Sequence, residues 1–549
     1  MIEAVLKGKD VLAVLPTGGG KSACFQVPAL LQEGLCLVIS PLVALMKNQV
    51  ESLREKGIEA LAIDSSLRYA QVEDAFIGAA NGQYRFLYLS PERLVSRLFT
   101  EYASSLPVHL IAVDEAHCIS QWGYDFRPPY LQIGSLRSLY PGVPIIALTA
   151  SATLRVQEDI LEKLDIKKAT IVRHSFARAN LSCRVFNPVR KIEKTLDILS
   201  RVEGSAILYC RSRRLTQEVS GLLASKGISA DYYHAGLDHE ARKNKQDQWI
   251  ANKTRVMVCT NAFGMGIDKP DVRVVIHWNP PDCPEHFYQE SGRAGRDGRS
   301  AFSVVLSDDE DLSFLRELPE RTFPSIDLVK HIYQQLCDYL QIPVGSGQEQ
   351  YYDFRFGEFC KNFNLDHSQV VPVLKVLEQQ GFLSVVESVF FSAKAMFTVT
   401  QESLRLFEDG HPELSEITKV LLRAYPGVFD ERRNISERFI ARTLRLHVDL
   451  VMEGLKRIAA FGIIEYLPQK ETPQIHLLYN RAPAQYLNID HEQYLERKSE
   501  FRSRVEAMVS YLRTRDCRMR FLLHYFGETG AADCGTCDNC LAKKNGKVA

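Results

Sequence analysis

The sequence predicts an α/β protein with two parallel-sheet domains, followed by smaller α+β units and a helical cysteine module. From Val11 to Arg173, short apolar runs such as V-L-A-V-L and L-I-A-V-D alternate with segments of helical character. A second series of the same kind extends from Ser205 to Ser307. Apolar strands separated by helices are typical of parallel sheets covered on both faces. Two such sheets form a cleft, and their strand ends are where ligands bind.

The bulk composition indicates a multi-domain chain without a global charge. Its 549 residues are too many for one hydrophobic core and suggest about three to five domains. Lysine plus arginine equals aspartate plus glutamate at 67 each, so any contact with nucleic acid has to come from local basic patches. No apolar run approaches the length of a membrane span, and the N-terminus lacks the layout of a signal peptide. We therefore expect a cytoplasmic protein that has no membrane partner.

The segment L-A-V-L-P-T-G-G-G-K-S at residues 12–22 predicts a strand, a phosphate-binding turn and a helix N-terminus. Glycines allow backbone N–H groups to surround a polyphosphate, lysine supplies positive charge, and a serine hydroxyl is a ligand for Mg²⁺. The candidate nucleotide-binding residues are Thr17, Gly18, Gly19, Gly20, Lys21 and Ser22. Leu15 stands where the strict motif has its first glycine, so a purely structural turn is the alternative.

Another predicted strand ends in D-E-A-H at residues 114–117. Asp114 suits Mg²⁺, and Glu115 is placed to orient or deprotonate an attacking water. The alternative is a charged strand end that enters a loop. The position of this motif downstream of Lys21, within the same alternating pattern, favours the catalytic interpretation.

Two further segments follow in the first domain. S-Q-W-G-Y-D-F-R-P-P-Y at residues 120–130 places aromatic rings beside an arginine, which offers stacking platforms for unpaired bases. A packed structural loop is the alternative. L-T-A-S-A-T at residues 148–153 puts hydroxyls at a strand end, where they either couple the phosphate site to a neighbouring surface or cap the next helix.

In the second domain, Y-Q-E-S-G-R-A-G-R-D-G-R at residues 288–299 brings Gln289, Arg293 and Arg296 close together. Arginines at this spacing can reach across a cleft to the γ-phosphate of a nucleotide. A solvated basic helix face is the alternative, but G-R-A-G-R is poor helix sequence.

The region from Asp308 to Asp490 contains no catalytic motif. Helix-like segments followed by G-F-L or G-I-I and then by strands occur twice, which predicts two winged-helix-like units. The second unit is rich in arginine and is the better candidate for a duplex contact, although arginine-rich helices are usually solvated.

Four cysteines near the C-terminus have the spacing C-x16-C-x2-C-x2-C, and they are Cys517, Cys534, Cys537 and Cys540. Four thiolates at this spacing fit tetrahedral zinc, with an iron–sulfur cluster as the rival. A disulfide is disfavoured in a reducing compartment.

Several of these segments carry a family resemblance. P-T-G-G-G-K-S, D-E-A-H, C-I-S-Q-W-G-Y-D-F-R-P-P-Y and L-T-A-S-A-T, in this order, resemble the first helicase domain of the RecQ family of superfamily 2 DNA helicases. Y-C-R-S-R-R at 209–214, N-A-F-G-M-G-I-D-K-P-D-V at 261–272 and residues 288–299 resemble helicase motifs IV, V and VI. C-R-M-R-F-L-L-H-Y-F-G-E and C-D-N-C resemble the RecQ zinc subdomain, which favours zinc over an iron–sulfur cluster.

The resemblance implies two RecA-like motor domains and an ATP- and Mg²⁺-dependent helicase that moves 3′ to 5′ in DNA repair or recombination. It makes Arg296 the arginine finger, with Arg293 beside it and Gln289 at the nucleotide. The residues expected to contact DNA are Trp122, Phe126, Arg127, Arg211 and Asn261. We expect a nucleoid-associated monomer whose partners are single-stranded DNA, branched duplex DNA and a single-strand-binding protein.

The chain also departs from the family pattern. Tyr124 stands where the family usually has histidine. Only Met1 to Lys9 precede the phosphate loop, so the adenine-reading F-R-x-x-Q segment is absent, and we expect an N-terminally shortened chain with weaker ATP binding. About 200 residues separate the motor from the cysteines, an atypical domain order, and only the basic tail Lys543 to Lys547 follows in place of an HRDC domain.

The expected domains are 1–175 and 176–310 for the RecA-like pair, 311–405 and 406–489 for the winged-helix-like units, and 490–549 for the zinc module and tail. Two other functions stay open at this point. One is an ATP-driven remodeller of RNA or of protein–DNA complexes that does not separate strands. The other is a DNA-binding scaffold whose motor is silent.

Overall fold

The computed structural model describes residues 1–16, 18–41, 43–64, 67, 69–264, 267, 269–391, 393–468 and 470–546. The chain forms two compact units. One consists of Met1–Phe323 together with Asp490–Ala549, and the other, Pro324–Ile489, is inserted in sequence between these two parts. No helix among the described residues combines the length and the apolar character needed to cross a membrane.

The first sheet of the larger unit has seven parallel strands. They are β1 Val11–Val14, β2 Leu35–Ile39, β3 Ala60–Ile63, β4 Phe86–Leu89, β5 Val108–Val113, β6 Ile145–Thr149 and β7 Thr170–Arg173. The helices of this part are α1 Ile2–Leu6, α2 Lys21–Leu31, α3 Val43–Glu55, α4 Tyr69–Ala80, α5 Arg97–Tyr102, α6 Leu136–Leu139 and α7 Leu154–Lys163. The strand order is β3-β4-β2-β5-β6-β1-β7. Strands β1, β2, β4 and β6 are buried along their whole length, because apolar side chains on both faces are covered.

The strand order brings three motifs of the sequence to one edge of this sheet. Strand β6 lies between β5 and β1, and Ala147 of β6 is in register with both Leu12 and Val113. The phosphate loop after β1, the D-E-A-H segment after β5 and the L-T-A-S-A-T segment at the end of β6 are therefore neighbours.

The second sheet has six parallel strands. They are β8 Leu181–Phe186, β9 Ser205–Tyr209, β10 Ala230–Tyr233, β11 Val256–Cys259, β12 Val272–His277 and β13 Ala301–Leu306. The helices are α8 Lys191–Arg201, α9 Arg213–Ser225, α10 His239–Ile250, α11 Pro284–Ser291 and, after the sheet, α12 Asp309–Thr322. The order is β10-β11-β9-β12-β13-β8.

The inserted unit contains two three-stranded antiparallel sheets. Its elements are α13 Ile326–Tyr339, β14 Gln350–Asp353, α14 Phe356–Asn362, α15 His367–Gln379, β15 Leu383–Phe391, β16 Ala393–Phe397, α16 Gln401–Gly410, α17 Pro412–Ala424, β17 Arg433–Ile435, α18 Glu437–Leu444, α19 Val448–Ala460, β18 Ile464–Leu467 and β19 Lys470–Leu477. The sheet orders are β14-β19-β15 and β17-β16-β18. The second helix-and-sheet unit, β16 to β18, therefore lies in sequence between two paired strands of the first, β15 and β19.

Two of the expected domain boundaries fall inside helices of the structure. The expected division after residue 405 falls inside α16, whose Leu404 is buried in one apolar cluster with Phe397 of β16 and Leu414 of α17. The expected division after residue 310 falls inside α12, which packs on the C-terminal helix that begins at His491. Linear order hides both facts, because strand pairing and helix packing join residues that are distant in sequence.

The C-terminal part of the larger unit is helical and consists of α20 His491–Arg513, α21 Arg518–Tyr525 and α22 Asp538–Lys544. Helix α20 lies against α12, where Phe323 contacts Tyr494 with ring centroids 5.6 Å apart. On the other side, Ser182 of β8 donates to the Thr536 carbonyl at 2.7 Å. The cysteine module thus packs on the second sheet despite the intervening insertion. Two parallel sheets, winged-helix units and a helical cysteine module confirm the predicted fold class.

Candidate functional site

The phosphate loop between β1 and α2 requires its glycines. Gly18 and Gly20 have φ of +79° and +73°, a region that side chains rarely adopt, and a Cβ on Gly19 would lie 2.9 Å from the Pro16 carbonyl oxygen. Gly20 is the N-cap of α2, so Lys21 and Ser22 occupy the first turn of that helix. The helix N-terminus and the lysine favour an anion at this loop. Thr17, also predicted to bind nucleotide, lies outside the described residues.

The phosphate-loop lysine is held by the D-E-A-H carboxylate. Lys21 Nζ lies 3.0 Å from Glu115 Oε1. Burial lowers the pKa of Lys21, but the carboxylates of Glu115 and Asp114 outweigh it and leave that pKa above its ordinary value. Burial and the charge of Glu115 raise the pKa of Asp114. Burial also raises the pKa of Glu115, but the charges of Lys21 and His117 outweigh burial. The pKa of Glu115 therefore lies below its ordinary value.

Glu115 has an unusual backbone conformation and a free acceptor. Its φ of 45° and ψ of 48° place a non-glycine residue in the left-handed region, which costs about 1–3 kcal/mol and is found mostly at functional sites. Glu115 Oε2 is buried and accepts no hydrogen bond from the residues described. It lies 3.4 Å from His117 Nδ1, but that nitrogen has a closer partner in Thr149 Oγ1 at 3.0 Å. A buried carboxylate oxygen without a donor fits a site that takes up a water or a ligand.

The donors at this loop also fit a magnesium ion. Asp114 and Ser22 offer the oxygen atoms that Mg²⁺ prefers. The charge of Glu115 makes it harder to ionise the buried Asp114, and a divalent cation would relieve that repulsion. Mg²⁺ is a hard cation that prefers oxygen ligands, so Asp114 and Ser22 suit it.

Arg296 and Arg293 reach this region from the second sheet. A Cβ on Gly18 would lie 3.4 Å from Arg296 Cγ, so the Arg296 side chain lies directly against the phosphate loop. Arg296 Nη1 also donates to the Ile267 carbonyl at 3.1 Å. Arg293 is buried and donates to the carbonyl of Gly264, where no side chain would fit because a Cβ would lie 2.4 Å from the guanidinium.

A cavity of about 190 Å³ lies between the two sheets beside these groups. Its walls include Glu115 and His117 from the first sheet and Asn261, Gln289 and Arg293 from the second. The structure thus brings the predicted nucleotide residues Lys21, Asp114, Glu115, Gln289, Arg293 and Arg296 to one cleft.

The aromatic-rich segment, residues 120–130, is covered by arginines. The Arg155 guanidinium lies 4.0 Å from the Trp122 ring centroid and pairs with Glu500 of α20 at 2.9 Å. The guanidinium of Arg497, also on α20, lies 5.5 Å from the Phe126 ring centroid. Helix α20 therefore reaches both predicted stacking rings, one directly and one through an ion pair.

The two arginines predicted to contact DNA have protein partners. Arg127 donates to Asp125 Oδ2 at 3.2 Å and to the Pro41 carbonyl at 3.0 Å. Arg211 lies away from the aromatic-rich segment, paired with Asp311 at 2.7 Å and stacked on Phe314. Both arginines keep about a third of their side chains exposed, so each can still meet a phosphate.

The four C-terminal cysteines form one cluster. Their sulfur atoms all lie within 4.8 Å of one another, and tetrahedral zinc with Zn–S of about 2.3 Å holds sulfurs about 3.8 Å apart. Backbone N–H groups of Cys534, Cys537 and Cys540 donate to neighbouring sulfurs at 3.2–3.4 Å, a pattern that stabilises thiolates. Asp538, within the cluster loop, accepts from Arg518 at 2.8 Å. Donor type, number and spacing all fit zinc.

Some contacts at the cleft were not predicted from the sequence. His117 belongs to D-E-A-H, and Thr149 and Ser151 are strand-end hydroxyls of L-T-A-S-A-T, but their contacts with one another or with Tyr124 form only where the strand ends meet in the folded sheet. Asp282 and His286 are hydrogen-bonded, and their spacing of four residues at the start of α11 was a local signal for that pair.

Family models match four parts of the chain. A DEAD/DEAH box helicase model matches residues 1–160, and a helicase conserved C-terminal domain model matches residues 190–298. A RecQ helicase winged-helix domain model of the Bacteroidota matches residues 395–468, and a RecQ zinc-binding model matches residues 482–541.

Two bacterial helicases are among the proteins to which the chain is similar. A probable ATP-dependent DNA helicase RecS of Bacillus subtilis is 44% identical over 56% of this chain and 62% of its own length. The ATP-dependent DNA helicase RecQ of Haemophilus influenzae is 42% identical over 58% of this chain and 52% of its own length. The chain thus spans little more than half of the length of these relatives. Together with the two RecQ-specific models and the geometry of the phosphate loop and cysteine cluster, they show that this chain belongs to the RecQ family of helicases.

Proposed function

We propose that the chain is an ATP-dependent DNA helicase that moves 3′ to 5′ on one strand and separates duplex DNA in repair or recombination. The observation that carries this proposal is the convergence of Lys21, Glu115 and Arg296 on one loop from two separate sheets. Such a site binds nucleotide only when the two sheets approach, so hydrolysis can drive their opening and closing.

In this proposal each residue has a distinct task. Lys21 leaves Glu115 to bind the phosphates, and the freed carboxylate orients a water and accepts its proton. Asp114 and Ser22 would hold a Mg²⁺ ion, and that ion would neutralise phosphate charge. Arg296 reaches from the second sheet to stabilise the negative charge that develops during hydrolysis, and Arg293 keeps the neighbouring Gly264 turn in place.

DNA is the proposed substrate because stacking rings and arginines lie beside the nucleotide site. Trp122 and Phe126 offer faces on which bases can stack once the covering arginines move. Arg127, Arg211 and Asn261 would meet the strand backbone. The proposal extends to branched DNA as substrate, to a single-strand-binding protein as partner, and to a monomer that works at the nucleoid.

A steady-state ATPase assay with and without single-stranded DNA tests this function. We expect hydrolysis that depends on Mg²⁺ and rises at least about tenfold with DNA, as for a motor whose closure the strand promotes. Lys21→Ala should abolish hydrolysis while DNA binding persists, because Lys21 lies in the phosphate loop and pairs with Glu115 of the nucleotide site. Hydrolysis that DNA does not stimulate would contradict the proposal.

A further inference from the structure

Three aromatic rings contact one another in series across the cleft, one pair stacked and one pair edge to face. Tyr124 of the aromatic-rich segment lies flat on His117 of D-E-A-H, with ring centroids 4.5 Å apart and an interplanar angle of 20°. Its other neighbour is His286 of α11, at 4.8 Å and 78°, an edge-to-face contact. His117 and Tyr124 belong to the first sheet domain and His286 to the second, so this stack is a direct contact between the two.

The first-sheet end of the stack is anchored by the end of β6. Thr149 Oγ1 lies 3.0 Å from His117 Nδ1, and Ser151 Oγ lies 3.0 Å from the Tyr124 hydroxyl. His117 in turn lies 3.4 Å from Glu115 Oε2. A displacement of the Tyr124 ring is therefore transmitted to the residue that contacts the proposed catalytic carboxylate.

The second-sheet end is anchored by an ion pair. His286 Nδ1 is hydrogen-bonded to Asp282, which lies two residues before the start of α11. Although burial lowers the pKa of His286, the Asp282 carboxylate raises it well above the ordinary value, and the charges of His286 and Arg504 lower the pKa of Asp282. A cationic imidazole whose edge meets an aromatic face is attracted to it.

Helix α11 joins this ring contact to the arginines. His286 lies one turn before Gln289 on α11, and the chain leaves that helix directly into Arg293 and Arg296. His286, Gln289 and Arg293 line the same cavity as Glu115. His286 thus lies on the helix and in the cavity that bring the groups of the second sheet domain to face Glu115.

We infer that His286 is a positioning residue for ATP hydrolysis: its contact with Tyr124 aligns the arginine-bearing end of α11 with Glu115 when DNA engages the aromatic-rich segment. This inference rests on the proposed function and adds a residue to it that touches neither nucleotide nor DNA. Tyr124, in place of the usual histidine, supplies a broad face for the imidazole and a hydroxyl that fixes the ring to Ser151.

The test compares ATPase kinetics of His286→Ala, His286→Phe and Asp282→Asn with the full wild-type chain. His174→Ala, an exposed histidine outside the cleft, is the matched control. For His286→Ala we expect the DNA-stimulated kcat to fall about 10- to 100-fold, because a misplaced catalytic group costs that much. The KM for ATP and the Kd for an oligonucleotide should change less than about twofold, since His286 binds neither. His286→Phe, which keeps a ring edge on Tyr124, should recover most of the lost kcat.

Each outcome bears on the inference. A DNA-stimulated kcat of His286→Ala within about twofold of the wild-type value overturns the inference. A loss of oligonucleotide affinity that parallels the loss of kcat overturns it as well. If His286→Ala melts early or loses zinc, the nearly isosteric Asp282→Asn decides instead: a lowered stimulated kcat with unchanged KM supports the inference, and wild-type kinetics overturn it. A wild-type chain without any DNA-stimulated hydrolysis would overturn the proposed function itself, a result that the variants cannot mimic.

Discussion

Arg296 of the second sheet domain lies against Gly18 of the first, so closely that a Cβ on Gly18 would be 3.4 Å from Arg296 Cγ. Lys21 is close enough for the Arg296 charge to lower its pKa, although the carboxylates of Glu115 and Asp114 more than offset that effect. The arginine of the second sheet domain therefore lies at the phosphate loop of the first.

Replacement of this arginine should remove transition-state stabilisation rather than binding. We expect Arg296→Ala to reduce the DNA-stimulated kcat about 10³-fold or more, the range for an arginine finger, with a small change in the KM for ATP. Arg299→Ala is the matched control, since Arg299 is an exposed arginine three residues away. Retention of more than about half of the kcat by Arg296→Ala would exclude the finger role.

Replacement of one cysteine of the cluster should release the metal and destabilise β8 at the edge of the second sheet. Cys537 is fully buried in the four-cysteine cluster, and the adjoining Asp538 accepts from the Val185 N–H of β8 at 3.0 Å. For Cys537→Ser we expect the zinc content to fall from about one equivalent to nearly none, because four ligands hold a structural zinc. Hydrogen exchange should then accelerate at β8.

Cys360→Ser provides the control for this experiment, as Cys360 is a buried cysteine of α14 outside the cluster. It should keep its zinc. Full metal content in Cys537→Ser, measured by atomic absorption, would refute the assignment of Cys537 as a ligand.

Phe126 should contribute to strand binding. The ring is covered by Arg497 of α20, and a base that stacks on it gains about 1–3 kcal/mol, so Phe126→Ala should weaken oligonucleotide binding about 5- to 160-fold. Tyr69→Ala removes an exposed aromatic ring of α4 and should have no effect. Fluorescence anisotropy with a labelled single strand measures both, and equal affinities for Phe126→Ala and wild type would show that bases do not stack there.

The pair of Asp282 and His286 predicts a pH-dependent stability. The pKa of His286 is raised above its ordinary 6.5, so its contribution is complete below that pH and is lost as pH rises through the folded-state pKa. The pKa of Asp282 is lowered from 3.8, so its contribution is lost only in more acidic solution. The groups that face the pair are Arg504, which acts on Asp282, Asp125 of the first sheet domain, which interacts with His286, and the neighbouring Cys283 and Tyr124.

The melting temperatures of wild type and Asp282→Asn measure this effect. We expect their difference to be larger at about pH 6 than at about pH 9, since His286 is charged at the lower pH and loses its proton as the pH rises. A difference that does not change with pH would show that the pair is not ionic.

Local patterns in the sequence were sufficient to predict both parallel sheets and to point to most of the residues that the structure places at the cleft. Gly18 to Ser22 could be identified because a phosphate loop needs glycine at positive φ followed by a helix N-terminus, and both requirements are local. The same holds for the cysteine spacing. Asp114 and Glu115 directly follow the apolar run of a buried strand. The end of that run marks the end of the strand in the sequence.

Contacts between distant segments could not be predicted in this way. The pairing of β15 with β19 spans the whole second winged-helix unit, and nothing in either strand specifies that partner. The cover of Trp122 and Phe126 by groups linked to α20 joins residues more than 300 positions apart. The Tyr124–His286 contact depends on the approach of two separate sheet domains.

Unwinding of a forked DNA duplex by the full chain tests the central claim most directly. With ATP and Mg²⁺, we predict strand separation of a duplex that carries a 3′ single-stranded tail, none of a duplex with only a 5′ tail, and none by Lys21→Ala, which loses the lysine of the phosphate loop. Strand separation that persists in Lys21→Ala, or wild-type ATP hydrolysis without separation of any tailed duplex, would contradict the account.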